Sequence, residues 1–322
     1  MKYYFVVKLH NIKLDAVLRR GKVLSQNTRI SNSTKNFKRF FENDTFIYNF
    51  GTLEFNDLID SVYIYEIGDF LELKGLFKSE TDNIQLINFL LRKVQVFLTC
   101  LWLVKDNSVT FEVGFMQVYD KNPYKGTVTS NSLSNMPFTS GGEKVCTTFS
   151  EEELELAIHY YNKFTLNTDN FFEEKKLVLK NPLPKGSKRI ERAMYFLNKA
   201  RDASALPIKV IDYCTILECL FTNDSHEVTH KVSERFSFFL GKNSEERKEL
   251  FKTVKKLYKI RSKAVHGQAV RESPDEMRRL LGVIDEKIRE IFILEFAGDE
   301  KCKVFDMNNE DYENWFLELI LK

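Results

Sequence analysis

The sequence predicts an α+β protein, with a mixed strand-and-helix region at residues 1–180 followed by an all-α helical bundle at 181–322. Three observations predict it. Residues 2–9 and 109–119 are strand-length runs of aromatic and β-branched side chains. From Arg189 onward, apolar residues recur at the three- and four-residue spacing of helices. Between these regimes, residues 180–187 hold two prolines and a glycine, the composition of a linker.

The elements follow in order. Residues 2–9 form a first strand, and 19–44 are polar enough for an exposed loop with a short helical piece. Residues 45–55 and 61–77 are strand-like, with Gly51, Gly68 and Gly75 as turn or bulge signals. A long amphipathic helix covers 83–105, and 109–119 returns as a strand. Residues 121–142 are turn-forming and mobile, around one short strand. Ser150, followed by glutamate at the third position, caps a helix running to Leu166. Five helices follow, at 189–203, 207–221, 228–240, 245–266 and 274–296. A tail with Tyr312, Trp315, Phe316, Leu319 and Ile320 at helical spacing is expected to dock on the core.

Composition narrows the function classes. A hydrophobic content of 43% with 28 Phe excludes wholesale disorder. The net charge of +2 requires any nucleic-acid surface to be a local patch. Five scattered cysteines without a C-x-x-C pair read as reduced thiols of a cytoplasmic protein. The N-terminus has neither the apolar run nor the cleavage site of a signal peptide. The most apolar window, 88–104, is broken by Arg92, Lys93 and Gln95, so a core helix is expected there and no membrane span.

The chemistry concentrates at 250–267. At helical spacing Leu250, Val254, Leu257, Ala264 and Val265 form an apolar stripe, which Arg261 interrupts from inside. Lys252, Lys255, Lys256, Lys259 and Lys263 form a basic ribbon on another face. Gly267 ends the helix and leaves His266 at its C-terminus, where the backbone dipole favours an imidazolium. The 207–221 helix carries a matching oddity, with Glu218 on the same face as Ile211, Cys214 and Phe221. A lone buried ion costs several kcal/mol, so Glu218 and Arg261 either meet across adjacent helices or sit at the bundle edge and reach water.

An arginine held by a carboxylate presents its remaining donors as a fixed fork suited to phosphate. The imidazole of His266 is suited to proton transfer near neutrality. With the 2′-hydroxyl of RNA as nucleophile, these suffice for cleavage without metal or cofactor. The two residues stand about 140° apart on an ideal helix, so two copies across a symmetric dimer would make a denser composite site.

R-x-x-x-x-H alone is a weak pattern, and its context makes it specific. The context consists of Leu217-Glu218-Cys219-Leu220-Phe221, of Thr229-His230-Lys231-Val232-Ser233-Glu234-Arg235 with Phe239-Leu240-Gly241, and of Leu257-Tyr258-Lys259-Ile260-Arg261-Ser262-Lys263-Ala264-Val265-His266-Gly267. Over residues 189–267 the chain resembles a HEPN domain of the Apea-like type. The resemblance implies a helical bundle, often dimeric, with the R-x4-6-H motif at the dimer interface. It also implies metal-independent RNA cleavage, commonly in toxin–antitoxin or anti-phage roles, although some members only bind. By that resemblance Arg261 and His266 are the catalytic pair and Glu218 orients the arginine. Ser262 stands where the family at large usually has Asn, Asp or His, and completes the candidate catalytic set.

Lys255, Lys256, Lys259, Lys263 and Tyr258 are the candidate RNA contacts, though a solvated helix face reads the same way in sequence. The expected partners are RNA, a second copy of the chain, and an antitoxin or activator protein. The alternative is a catalytically silent module that binds RNA or a protein. A rival reading comes from His226-Glu227-Val228-Thr229-His230, an H-E-x-x-H whose histidines, with Glu249, could hold zinc. Against it, Asn223-Asp224-Ser225 is a helix start, and Lys231 adds a cation beside the second histidine. The N-terminal region offers no catalytic pattern; His10 and His159 are isolated, and a sensing or targeting role is expected by analogy.

Overall fold

The computed structural model describes residues 1–77, 80–121, 126–133, 136–166 and 186–321. It divides into two compact units, one of residues 1–136 and 145–178, the other of 137–144 and 179–322. The first mixes sheet and helix and the second is helical, as an α+β chain requires. The linker expected at 180–187 lies almost wholly outside the described residues.

The N-terminal unit is built on a six-stranded antiparallel sheet. Its strands are β1 (Lys2–His10), β3 (Lys22–Val23), β4 (Thr28–Ser31), β5 (Val62–Asp69), β6 (Thr110–Tyr119) and β7 (Thr127–Ser132), in the order β3-β4-β5-β1-β6-β7. Two further short strands, β2 (Ile12–Leu14) and β8 (Thr147–Phe149), pair in parallel. The central strand β1 is buried on both faces, which is why its sequence is a continuous apolar run. Tyr3, Phe5, Val7 and Leu9 face one core, filled by helix α5 (Asn83–Val104) and helix α6 (Glu151–Leu166). Val6 with Tyr63 and Tyr65 faces a second core of phenylalanines.

That second core corrects the reading of 45–55 as strand. The segment folds as α2 (Asp44–Phe50) and α3 (Thr52–Ile59), after α1 (Thr34–Phe41). Its aromatic content favours strand, but Asn43 caps α2 by accepting from the Phe46 N–H at 2.9 Å. Phe46 and Phe50, four apart, then enter the core while Tyr48 stays 88% exposed. Likewise the strand expected over 61–77 stops at Asp69, which caps α4 (Phe70–Gly75).

Helix α5 is the one described helix long and apolar enough to cross a membrane by length and composition. Its apolar residues are spent instead against the sheet and α6, where Leu90, Leu91, Phe97, Leu101 and Trp102 are fully enclosed. Lys93 on α5 reaches into the sheet and pairs with Glu66, which also accepts from Tyr3 Oη at 2.6 Å and from Thr28. Glu66 is thus buried among three donors, the Lys93 ammonium and the Tyr3 and Thr28 hydroxyls, as a buried carboxylate requires.

The C-terminal unit contains α7 (Arg189–Asp202), α8 (Leu206–Phe221), α9 (Val228–Leu240), α10 (Ser244–Val265), α11 (Pro274–Ala297), a 3-10 turn (Glu300–Asp306) and α12 (Asn309–Leu321). Helix α8 is central and packs against α7, α9, α10 and α11. The tail docks as expected: Tyr312 and Phe316 are fully buried, and Tyr312 Oη donates to Leu220 O at 2.7 Å. Residues 137–144, read with the turn-forming 121–142 stretch, belong to this unit. Phe138 N–H donates to Arg201 O at 2.8 Å, and Glu143 pairs with Arg278 at 3.2 Å.

Candidate functional site

The site forms where α10 crosses α8. Helix α10 begins at Asn243, whose side chain caps the Glu246 N–H at 2.9 Å. Leu250, Val254, Leu257 and Ile260 anchor it in the bundle. Val265, expected on that stripe, is 51% exposed because the helix has run past the body of the bundle by its last turn. The end is a full Schellman closure: Gly267 N–H donates to Ala264 O at 3.2 Å and Gln268 N–H to Lys263 O at 2.9 Å. Gly267 holds φ +65°, and no atom lies within 4 Å of where its Cβ would be. The closure leaves His266 as the cap residue, exposed at the negative end of the helix dipole.

Arg261 turns the other way, toward α8, and its Nη2 lies 3.6 Å from Glu218 Oε1. The pairing across adjacent helices is therefore present. Neither group is deeply enclosed, with the arginine side chain 36% and the glutamate side chain 25% exposed. Arg261 Nε, by contrast, is buried with no hydrogen-bond partner. The guanidinium is thus held from one side by a carboxylate while part of its side chain stays open to solvent, the arrangement that suits a second anion.

Tyr258 and Cys214 complete the buried wall behind the pair. Burial, then the neighbouring Cys214 and the Glu218 carboxylate, pushes the Tyr258 hydroxyl strongly upward. The hydroxyl sits beside Glu218 but outside good hydrogen-bond geometry, and it stays unbonded. The Cys214 thiol is likewise raised well above its ordinary value by burial and by Glu218, so it is an inert core thiol.

Several expected site residues take other roles. Tyr258, read as an RNA contact, is 5% exposed and serves the core, so it offers no stacking face. In the lysine ribbon, Lys256 pairs with Glu276, and Lys263 pairs with Glu272 at 3.2 Å, both carboxylates coming from α11 and the turn before it. Lys252, Lys255 and Lys259 remain exposed and form no ion pair among the described residues. Ser262 is exposed next to Arg261.

The H-E-x-x-H segment does not form the zinc geometry. Helix α9 begins at Val228, Glu227 is left-handed at φ +49°, and His226 lies outside the helix. The two histidines therefore do not share a helical face, and His230 approaches Glu234 at 3.9 Å instead. Among the described residues no group of three or more His, Cys, Asp or Glu is placed to hold a metal ion.

Sequence reasoning missed two arginines. Glu218 also lines a cavity of about 380 Å³ into which Arg189 and Arg192 of α7 project. Arg189 is fixed by Thr222 O at 2.9 Å and Asn309 Oδ1 at 3.0 Å, and it lies over the Tyr312 ring. The only signal was their three-residue spacing at the start of α7, which any solvated helix shows.

No family model, curated protein or solved structure matches the chain.

Proposed function

We propose that the C-terminal unit is a metal-independent endoribonuclease of the HEPN type, acting in the cytoplasm as a homodimer, in a toxin or anti-phage setting. The carrying observation is the Glu218–Arg261 pair at 3.6 Å, which orients a guanidinium that stays partly open to solvent. In the reaction the 2′-oxygen of RNA attacks the adjacent phosphorus, and the bond to the 5′-oxygen of the next nucleotide breaks. The products are a 2′,3′-cyclic phosphate and a 5′-hydroxyl. Arg261 stabilises the charge that develops on the non-bridging oxygens. His266 takes the 2′-hydroxyl proton or supplies one to the leaving 5′-oxygen. Within one chain no hydrogen bond or ion pair joins Arg261 to His266 among the described residues, and a second copy supplies the complementary set. The exposed Lys252, Lys255 and Lys259 supply phosphate contacts.

The test is RNA cleavage in EDTA, comparing the protein with Arg261→Ala and His266→Ala. Cleavage by the parent, lost at least 100-fold in either variant, with cyclic-phosphate ends, supports the proposal. Cleavage that survives both substitutions, or no cleavage by the parent in the presence of tight RNA or protein binding, replaces it with the silent binding module.

A further inference from the structure

The polar stretch between β2 and α2, together with β5, builds a strongly cationic concavity. Arg19 and Arg20 precede Gly21, Arg29 lies on β4, and Lys35 and Arg39 lie on α1. All five line one cavity of about 560 Å³, and no aspartate or glutamate lines it with them. None of the five forms an ion pair among the described residues. Their neighbours behave differently: Lys22 is held by Glu151 and Glu155, and Lys38 by Glu42 at 3.6 Å. Five like charges around one concavity repel each other, and an anion bound among them relieves that repulsion.

The cavity is preformed. Tyr65 Oη donates to Arg20 O at 3.2 Å and Arg29 Nη1 to Gly21 O at 3.3 Å, so both pin the Arg19–Gly21 loop against the sheet. Gly21 at φ +71° allows that approach, since a Cβ there would stand 2.8 Å from Tyr65 Oη. One wall is aromatic. Phe40 stacks on Tyr65 with ring centroids 5.7 Å apart, and the Arg39 guanidinium lies 5.2 Å over the Phe40 ring. Tyr65 is buried beneath, while Phe40 remains partly exposed at the cavity.

We infer that this cavity of the N-terminal unit binds a nucleoside polyphosphate, with the cations on the phosphates and Phe40 against the base. Guanidinium forks match phosphate oxygens, and an aromatic face accepts any base. The volume falls within the range of small-ligand pockets, roughly 300–1,000 Å³, and suits a mononucleotide. The inference stands apart from the ribonuclease reading, because it uses no residue of the C-terminal unit.

The experiment is calorimetric titration of the full chain with ATP, GTP, inorganic tripolyphosphate and an eight-nucleotide single-stranded RNA. The RNA arm uses the His266→Ala protein so that the oligomer stays whole. ATP or GTP is expected to bind one to one, with affinity falling as salt rises. The doubly substituted Lys35→Glu/Arg39→Glu protein, altered at two exposed α1 positions, should bind nucleotide at least tenfold more weakly with an unchanged melting temperature. Should it fail to fold, Arg19→Ser/Arg20→Ser in the loop must show the same loss. Phe40→Leu should weaken nucleotide binding several-fold and leave tripolyphosphate unchanged. Three results would each overturn the inference: no nucleotide binding at millimolar concentration, full binding by the charge-reversed protein, or RNA bound tenfold more tightly than either nucleotide by the His266→Ala protein and released when Lys35→Glu/Arg39→Glu is added to it. Equal affinity for tripolyphosphate, with Phe40→Leu silent, would remove the nucleotide and leave only an anion site.

Discussion

Arg261 Nη2 meets Glu218 Oε1 at 3.6 Å across the contact of α10 with α8, while Arg261 Nε is buried and unbonded. The pair orients the arginine more than it stabilises the fold, because both side chains are a quarter to a third exposed and solvent screens them. Glu218→Gln is therefore expected to cost only about 1 kcal/mol. In a double-mutant cycle with Arg261→Met the coupling should be about 0.5–1.5 kcal/mol. Urea unfolding followed by Trp315 fluorescence, in a Trp102→Phe background, reads the C-terminal unit. The same substitution should lower kcat for RNA cleavage more than it changes KM. Equal rates for Glu218→Gln and the parent would remove the orienting role.

Tyr258 should prove dispensable as a polar group. Its hydroxyl is buried without a hydrogen bond, so Tyr258→Phe removes an unsatisfied donor and leaves the ring packing intact. Stability is expected to stay within about 0.5 kcal/mol or to rise, and RNA affinity to be unchanged. A tenfold loss of RNA binding would restore the residue as a substrate contact.

The lysines of α10 should separate into two groups. Lys259→Gln, at an exposed position without an ion pair, is expected to reduce the salt slope of RNA binding by about one. Lys263 instead holds Glu272, whose carboxyl lies below its ordinary 4.5. Burial works to raise it but is outweighed by hydrogen bonds from backbone N–H groups and from Lys263. A carboxyl lowered in the folded state contributes stability that is complete above pH 4.5 and lost as pH falls through the folded value. The C-terminal unit should therefore weaken below pH 4.5, and Glu272→Gln should flatten that acid limb. An identical acid limb in the variant would show that the pair contributes nothing.

Lys93 and Glu66 should carry more energy than any surface pair, since their side chains are only 16% and 5% exposed. Lys93→Met leaves a buried carboxylate facing Tyr3 and Thr28 alone, at an expected cost of about 3 kcal/mol. Unfolding of the N-terminal unit, followed by Trp102 fluorescence in a Trp315→Phe background, measures it. A loss under 1 kcal/mol would show that the two remaining hydroxyl donors suffice.

The local periodicities settled much of this molecule before any tertiary contact. Apolar spacing placed α5, α6 and the helices of the bundle nearly to the residue, because each buries one stripe and is bounded by caps written in the sequence, among them Asp82, Ser150 and Gly267. The inward Arg261 and Glu218 were legible as charges in apolar stripes, since burial cost forces such charges to find each other. What spacing leaves open is which partner wins. Residues 45–55 have strand composition but turn helical, because Phe46 and Phe50 find a phenylalanine core that exists only once α1, α3 and β1 have assembled. Lys256 and Lys263 join carboxylates of the next helix, and Tyr258 packs inward, by contacts that no single-helix projection contains. The five cations around Phe40 come from a loop, a strand and a helix, and only the assembled sheet edge brings those separate stretches to one cavity.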